Sequence, residues 1–438
     1  MRLRVRPARR LTGRAEVPGD KSISHRAALL SSIARGVTEV RGYLEAEDCL
    51  RSLAAIEALG VEVTRKGPGE YRIAGAGLRG LSEPGDVIDC GNSGTTARLL
   101  LGILAGQPFW TMLTGDESLR RRPMGRVAEP LRRMGATVVG RADGARLPLA
   151  VHGADRLTAI DYLLPVASAQ LKSALLLAGL YADGPVAVRE PAASRDHSER
   201  MLRRFGVLVE TADGMVRLTP SELTGTTLRV PGDLSSAAFL LAAALVVPGS
   251  RVTVAGVGLN PTRTGLLEVL GEMGARLGVT PEEGSGDPIE PLGSIVAEMS
   301  ELRGTRVAGA LIPRLIDEVP VLAVVAALAG GRTEIRDAAE LRVKESDRIA
   351  TLARGLGAMG VRVSELPDGL AIDGGARLRG ARVASGGDHR LALALAVAGL
   401  AADGETVVDD TACIETSFPR FAETVNALTG EPSLVSEG

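Results

Sequence analysis

The sequence predicts an α/β protein of two similar domains, each assembled from three repeats of strand and helix. Three observations carry that reading. The tetrapeptide Val17-Pro18-Gly19-Asp20 recurs as Val230-Pro231-Gly232-Asp233, each time leading into a small, apolar helix. An apolar helix and a β-like strand, followed by a more amphipathic helix, appear six times at a spacing of roughly seventy residues. Finally, 438 residues are too many for one ordinary core.

Taken in order, the apolar helix-and-strand segments are residues 24–40, 94–110, 168–188, 235–254, 316–335 and 388–408. Their amphipathic successors are residues 47–63, 124–139, 197–210, 264–279, 346–363 and 417–429. In the first of these, Leu50, Leu53, Ile56 and Leu59 recur at helical spacing. Gly60, Gly135, Gly206, Gly274 and Gly360 stand where a left-handed residue would end each helix. The domain change is expected near residues 228–233, and the acidic tail after Glu431 is expected to fray. Helices apolar all round must lie inside their domains, so their polar residues collect at the amino ends. Several such ends aimed at one cleft would add their dipoles on a single anion-binding surface.

Composition narrows the function. Hydrophobic residues make up 45% and charged residues 24%, which fits a globular chain with a large core. A net charge of −2 and 2% aromatics disfavour a nucleic-acid partner. Cys49, Cys90 and Cys413 form neither a metal spacing nor an even disulfide set, so they read as reduced thiols of a cytoplasmic protein. The Arg-rich start lacks the apolar core of a signal peptide, and no apolar run is long enough to span a bilayer. No HExxH, CxxC or EF-hand spacing appears, so neither a metal nor another cofactor is called for.

The chemistry gathers at the helix starts. Asp20 or Ser22 can cap the first apolar helix, and Lys21 and Arg26 stand beside its amino end, which suits a phosphate or carboxylate. A simply capped surface helix is the plainer reading of that stretch. Residues 91–98 form a Gly-rich turn without the Gly-Lys-Ser/Thr ending of a P-loop, and Gly94 would let a ligand approach the backbone. Arg120, Arg121 and Arg122 offer guanidinium groups, either solvated or gripping phosphate. Ser168, Ala169 and Gln170 open the third apolar helix, and Ser194 and Arg195 precede His197. In the other half, Asp317 and Glu318 stand at the mouth of an apolar helix. Lys344, Glu345 and Arg348 alternate in charge, and Arg390 opens the last apolar helix.

Those motifs together resemble one family. The runs 20–26, 91–95, 122–124, 168–170, 316–318, 341–348 and 388–390 occur in the order and spacing of 5-enolpyruvylshikimate-3-phosphate synthases, across nearly the whole chain. The resemblance implies two inside-out α/β domains, each of three βαβαββ repeats. It places the active site in the interdomain cleft. The domains would be residues 15–230, mainly for shikimate 3-phosphate, and 1–14 plus 231–438, completing the phosphoenolpyruvate site. It also implies that the first strand, residues 3–10, packs in the C-terminal domain.

By the same resemblance, Lys21, Ser22 and Arg26 hold shikimate 3-phosphate, with Ser168, Ala169, Gln170 and Ser194 or Arg195 at its phosphate. Phosphoenolpyruvate meets Lys21, Gly94, Arg122, Gln170, Arg348 and Arg390. Asp317 and Glu345 handle protons, with Lys21 as another candidate acid, and Asp317 and Lys344 also touch the shikimate. A Gly at position 94 leaves room for glyphosate in this family. Two departures stand out: Glu340 replaces an Asn common four residues before Lys344, and Thr416 replaces a donor-binding Lys of some members. The expected working form is a monomer. The rival enzyme is the UDP-N-acetylglucosamine enolpyruvyl transferase, but residues 115–124 lack its reactive Cys and Ser22 replaces its Asn. A non-catalytic anion-binding paralogue is the other alternative, against which Asp317, Lys344 and Glu345 speak.

Overall fold

The computed structural model describes residues 1–282 and 290–438. They form two compact units, Gly19–Val230 and Met1–Pro18 with Pro231–Gly438. Each has its own apolar core.

One topology is repeated six times. In the cleanest copy, Ile88–Asp89 runs parallel to Trp110–Thr114, which pairs antiparallel with Leu149–His152, which in turn pairs antiparallel with Thr137–Gly140. The helix Gly94–Leu104 joins the parallel pair, and Gly125–Arg133 leads into the closing hairpin. That is a βαβαββ repeat, because parallel neighbours need a crossover whereas antiparallel ones need only a turn. The other five sheets keep the same strand order and directions.

Three repeats borrow a strand from a distant part of the chain. Leu223–Thr224 and Thr227–Arg229 supply the parallel partner of Ala34–Arg41 and so complete the first repeat of the Gly19–Val230 unit. Thr12–Glu16 does the same for Arg251–Gly258. Arg2–Val5 lies between Thr406–Asp409 and Leu434–Glu437. The expectation of a frayed tail is therefore corrected. Leu434 is buried, and the backbone of residues 434–437 is paired to Arg2–Val5. Composition at the tail says nothing of a strand some 430 residues away that needs a partner for its own N–H and C=O groups.

The six buried helices are Lys21–Ser32, Gly94–Leu104, Ala169–Gly179, Leu234–Val246, Val319–Leu328 and His389–Leu400. They are buried on nearly every side; in Val319–Leu328 all residues from Val319 to Ala327 are inside. Each fully buried Leu or Val contributes about 1.5–3 kcal/mol, so packing and not local propensity sets these helices. At Gly102 a side chain would run into the Ala174 carbonyl, so the glycine permits the close approach of Gly94–Leu104 to Ala169–Gly179. The amphipathic helices end as their glycines require: Gly60, Gly135, Gly206, Gly274 and Gly360 all have φ between 87° and 108°.

Candidate active site

The polar residues of each unit collect where its buried helices begin. Five of those helices carry a side-chain cap. Asp20 accepts from the Ile23 amide at 2.9 Å, Ser93 from Thr96 at 3.1 Å and Ser168 from Leu171 at 3.4 Å. Asp233 accepts from Ser235 at 2.8 Å and Asp388 from Arg390 at 3.0 Å. Each cap is worth about 1 kcal/mol and fixes the first turn on which the functional side chains sit.

In the Gly19–Val230 unit the sequence-predicted residues meet through short bonds. Gln170 donates to Thr95 Oγ1 at 3.0 Å and accepts from Arg98 Nη1 at 2.8 Å, so the amino ends of two buried helices are tied together. Arg26 donates to the Ser22 carbonyl at 2.8 Å, to Ser173 Oγ at 2.7 Å and to Ser198 Oγ at 2.6 Å. This binds the first helix to the third and to the start of His197–Arg204. Lys21 Nζ lies 2.5 Å from Asp48 Oδ2.

The three successive arginines divide. Arg120 and Arg121 end the short helix Glu117–Arg121, whereas Arg122 is buried and donates to Asn92 Oδ1 at 2.6 Å. A Cβ at Gly94 would stand 2.7 Å from Arg98 Nη1 and 3.4 Å from Arg122 Nη1, so this backbone is flanked by two guanidinium groups. Ser194 is buried and gives its hydroxyl proton to Glu190. Ser168, Ala169 and Arg195 are half-buried.

The other unit gathers Asp317, Lys344, Glu345, Arg348 and Arg390. The Asp317 carboxylate lies 3.3 Å from Arg348 Nη1, 3.7 Å from Lys344 Nζ and 3.7 Å from Arg390 Nη2. Glu345 takes Arg348 Nη2 at 2.6 Å, and Asp388 takes Arg348 Nε at 2.7 Å. Arg390 also donates to the Asp317 carbonyl at 3.3 Å. Burial alone would lower the pKa of Arg348, but Asp388, Glu345 and Asp317 outweigh it and raise it. One ammonium and two guanidinium groups thus surround the Asp317 carboxylate, with Arg348 shared among Asp317, Glu345 and Asp388. Thr416 spends its hydroxyl on the Cys413 carbonyl at 2.7 Å and does not stand in for a lysine. Glu340 is half-buried.

Several residues that matter here escaped the sequence reading. Asp48, the partner of Lys21, reads in the sequence only as an acidic residue in the first turn of a helix. Lys172 is fully buried between Glu190 at 2.6 Å and Glu199 at 2.7 Å, although in the sequence it is only one cation near the start of an apolar helix. Arg98 closes the Gly-rich turn of residues 91–98, and nothing in the sequence signals its bond to Gln170. Among the described residues no cluster of His, Cys, Asp or Glu is arranged to hold a metal. Burial pushes the Cys90 and Cys413 thiols up to about 12, which leaves them as poor nucleophiles.

His25 gives this region a pH dependence. Burial first, then Lys21 and Arg26, hold its imidazole well below 6.5, with Asp20 opposing. The ring sits 2.8 Å from Ser52 Oγ. Below about pH 6.5 the unfolded chain therefore binds a proton that the folded chain refuses, so this contribution is complete above that pH and is lost on acidification. The slope should approach about 1.4 kcal/mol per pH unit. Urea unfolding between about pH 5 and 7 should show a shallower slope for His25→Asn than for the wild type. Equal slopes would remove His25 from that role.

Residues 5–425 match the family model described as EPSP synthase (3-phosphoshikimate 1-carboxyvinyltransferase). The chain is 56% identical over 430 residues to the 3-phosphoshikimate 1-carboxyvinyltransferase of Desulforudis audaxviator, covering 98% of this chain and 99% of that protein. It is 56% identical over 417 residues to the protein of the same name from Geobacter sulfurreducens, covering 95% and 96%. A solved structure of EPSP synthase from Acinetobacter baumannii superposes over both whole chains with a TM-score of 0.88 at 41% identity.

Proposed function

The chain belongs to the EPSP synthase (3-phosphoshikimate 1-carboxyvinyltransferase) family, and we propose that the two residue sets described above carry out its reaction. It is a transferase of aromatic amino-acid biosynthesis. It moves the carboxyvinyl group of phosphoenolpyruvate to the 5-hydroxyl of shikimate 3-phosphate and releases phosphate.

That chemistry is an addition followed by an elimination. The 5-hydroxyl adds to C2 of phosphoenolpyruvate as C3 gains a proton; the tetrahedral adduct then loses phosphate and a C3 proton. In our reading Asp317 takes the hydroxyl proton, and Glu345 or Lys21 gives the proton to C3. Lys21, Ser22, Arg26, Ser168, Ala169, Gln170, Ser194 and Arg195 bind shikimate 3-phosphate, with Lys344 at its ring hydroxyls. Lys21, Gly94, Arg122, Gln170, Arg348 and Arg390 take phosphoenolpyruvate. Two anionic substrates repel one another, and the clustered Lys and Arg side chains offset that repulsion where charge develops. The observation that carries the assignment is the Asp317 carboxylate held among Lys344, Arg348 and Arg390.

Phosphate release from the two substrates together tests the reading. It should require both, and UDP-N-acetylglucosamine should not replace shikimate 3-phosphate; turnover with that acceptor would favour the rival transferase. We further read the enzyme as a cytoplasmic monomer that needs no cofactor and binds no nucleic acid. Its charge of −2 and its 2% aromatics support the last of these, and among the described residues no helix is long and apolar enough to cross a membrane.

Gly94 gives a further expectation. A methyl group there would press on Arg98, whose other bonds to Gln170 and to the Pro123 carbonyl leave it little room to retreat. Gly94→Ala should raise the inhibition constant of glyphosate by about tenfold or more while raising KM for phosphoenolpyruvate less, since about 1.4 kcal/mol of steric strain suffices for that factor. Equal shifts in both constants would reject the steric account.

A further inference from the structure

The second copy of the Val-Pro-Gly-Asp turn has lost its cation: Leu234 and Phe239 stand in place of Lys21 and Arg26. A cation nevertheless reaches the same helix start from elsewhere. Arg263, buried, donates from Nη2 to Ser235 Oγ at 2.6 Å and to Asp233 Oδ1 at 3.1 Å, and the same nitrogen lies 3.7 Å from Glu318 Oε1. Ser235 Oγ donates to Glu318 as well. The charge at this turn is therefore spent on protein carboxylates.

Glu318 is the residue that this arrangement holds in place. It occupies the cap position of Val319–Leu328, yet its side chain makes no capping bond to that helix. It is buried instead against Ser235 and Arg263, and its Oε1 stands 3.9 Å from Arg390 Nη1. Among the described residues Glu318 Oε2 has no hydrogen-bond partner, a costly condition for a buried carboxylate. Arg390 is thus set between two neighbours in sequence: the Glu318 carboxylate and the Asp317 carboxylate at 3.7 Å, with the Asp317 carbonyl as acceptor.

We propose that Glu318, anchored by Ser235 and Arg263, is a positioning residue that fixes Arg390 and, through the shared backbone, Asp317. The inference rests on the proposed function, in which Arg390 grips phosphoenolpyruvate. Glu318 touches no substrate. It supplies the second of two carboxylates, one near each terminal nitrogen, that keep the guanidinium aimed, so that donor binding is prepared before the donor arrives.

The test is steady-state kinetics on Glu318→Gln, which keeps the shape and removes the charge, with Glu318→Asp as the conservative variant. Glu318→Gln should raise KM for phosphoenolpyruvate about five- to twentyfold, as loss of a charge-assisted contact does. KM for shikimate 3-phosphate should stay within about twofold, and Glu318→Asp should recover part of the loss. Ser235→Ala, which buries no unpaired charge, should shift the same constant in the same direction by less; it decides the matter if Glu318→Gln does not fold. Unchanged constants, or both Michaelis constants moving together with a lowered Tm, would overturn the proposal. Calorimetric titration with phosphoenolpyruvate provides a second readout that does not need turnover. A wild type that releases no phosphate refutes the proposed function, while the ratio of its phosphoenolpyruvate Kd to that of Glu318→Gln still judges Glu318.

Discussion

Asp317→Asn should lower kcat by at least about a hundredfold, the usual consequence of removing a general base. The substitution keeps the side chain's shape and its place beside the Arg390 and Arg348 guanidinium groups, but the amide can no longer accept a proton. Binding of shikimate 3-phosphate, measured by titration, should change little, because most of the residues assigned to it lie on Gly19–Val230. KM for phosphoenolpyruvate should move far less than kcat: losing the Asp317 charge frees Arg348 for the donor, while Arg390 stays held by Glu318 and by the carbonyl of residue 317. The signature is thus a fall in kcat without a matching loss of affinity. A variant turning over at near wild-type rate would take Asp317 out of the mechanism, whereas a collapse of affinity for both ligands would make it structural.

The parts of this molecule that the sequence displays are those governed by local rules. Val17-Pro18-Gly19-Asp20 and its second copy announce a turn and a capped helix because a Pro-Gly turn and an Asp cap depend on a few adjacent residues. Gly60 and Gly360 mark helix ends because only glycine adopts their φ without penalty. The apolar runs identify the buried helices since nothing polar interrupts them. What stays hidden is pairing over long separations. No periodicity connects Arg2–Val5 to Leu434–Glu437, Lys21 to Asp48, or Arg263 to Glu318. Each is a backbone or charge left without water by burial, whose partner is chosen by three-dimensional proximity. Arg348 shows the same division. Its short spacing to Glu345 is readable as neighbours on one turn, whereas Asp388, forty residues on, is not.

Lys172 supplies the largest expected effect on stability. Its ammonium is buried between two buried carboxylates, Glu190 and Glu199. Burial alone would lower its pKa, but Glu199 and Glu190 outweigh that and raise it above 10.5. The sign follows: this contribution is complete at neutral pH and declines only as the solution is made alkaline beyond about 10.5. Lys172→Met would leave two negative charges facing one another without water, and should cost about 3–5 kcal/mol in urea unfolding. Adding Glu190→Gln and Glu199→Gln to that variant should recover most of the loss, because the charges are then removed together and no unpaired one stays buried. The triple variant separates stability from function. Glu190 accepts the Ser194 hydroxyl, so restored folding with weakened binding of shikimate 3-phosphate would show that the charges serve to hold Ser194 in place. Restored folding with unchanged affinity would leave the triad a purely structural group. A Lys172→Met protein as stable as the wild type would show that water or a shared proton already relieves the two carboxylates.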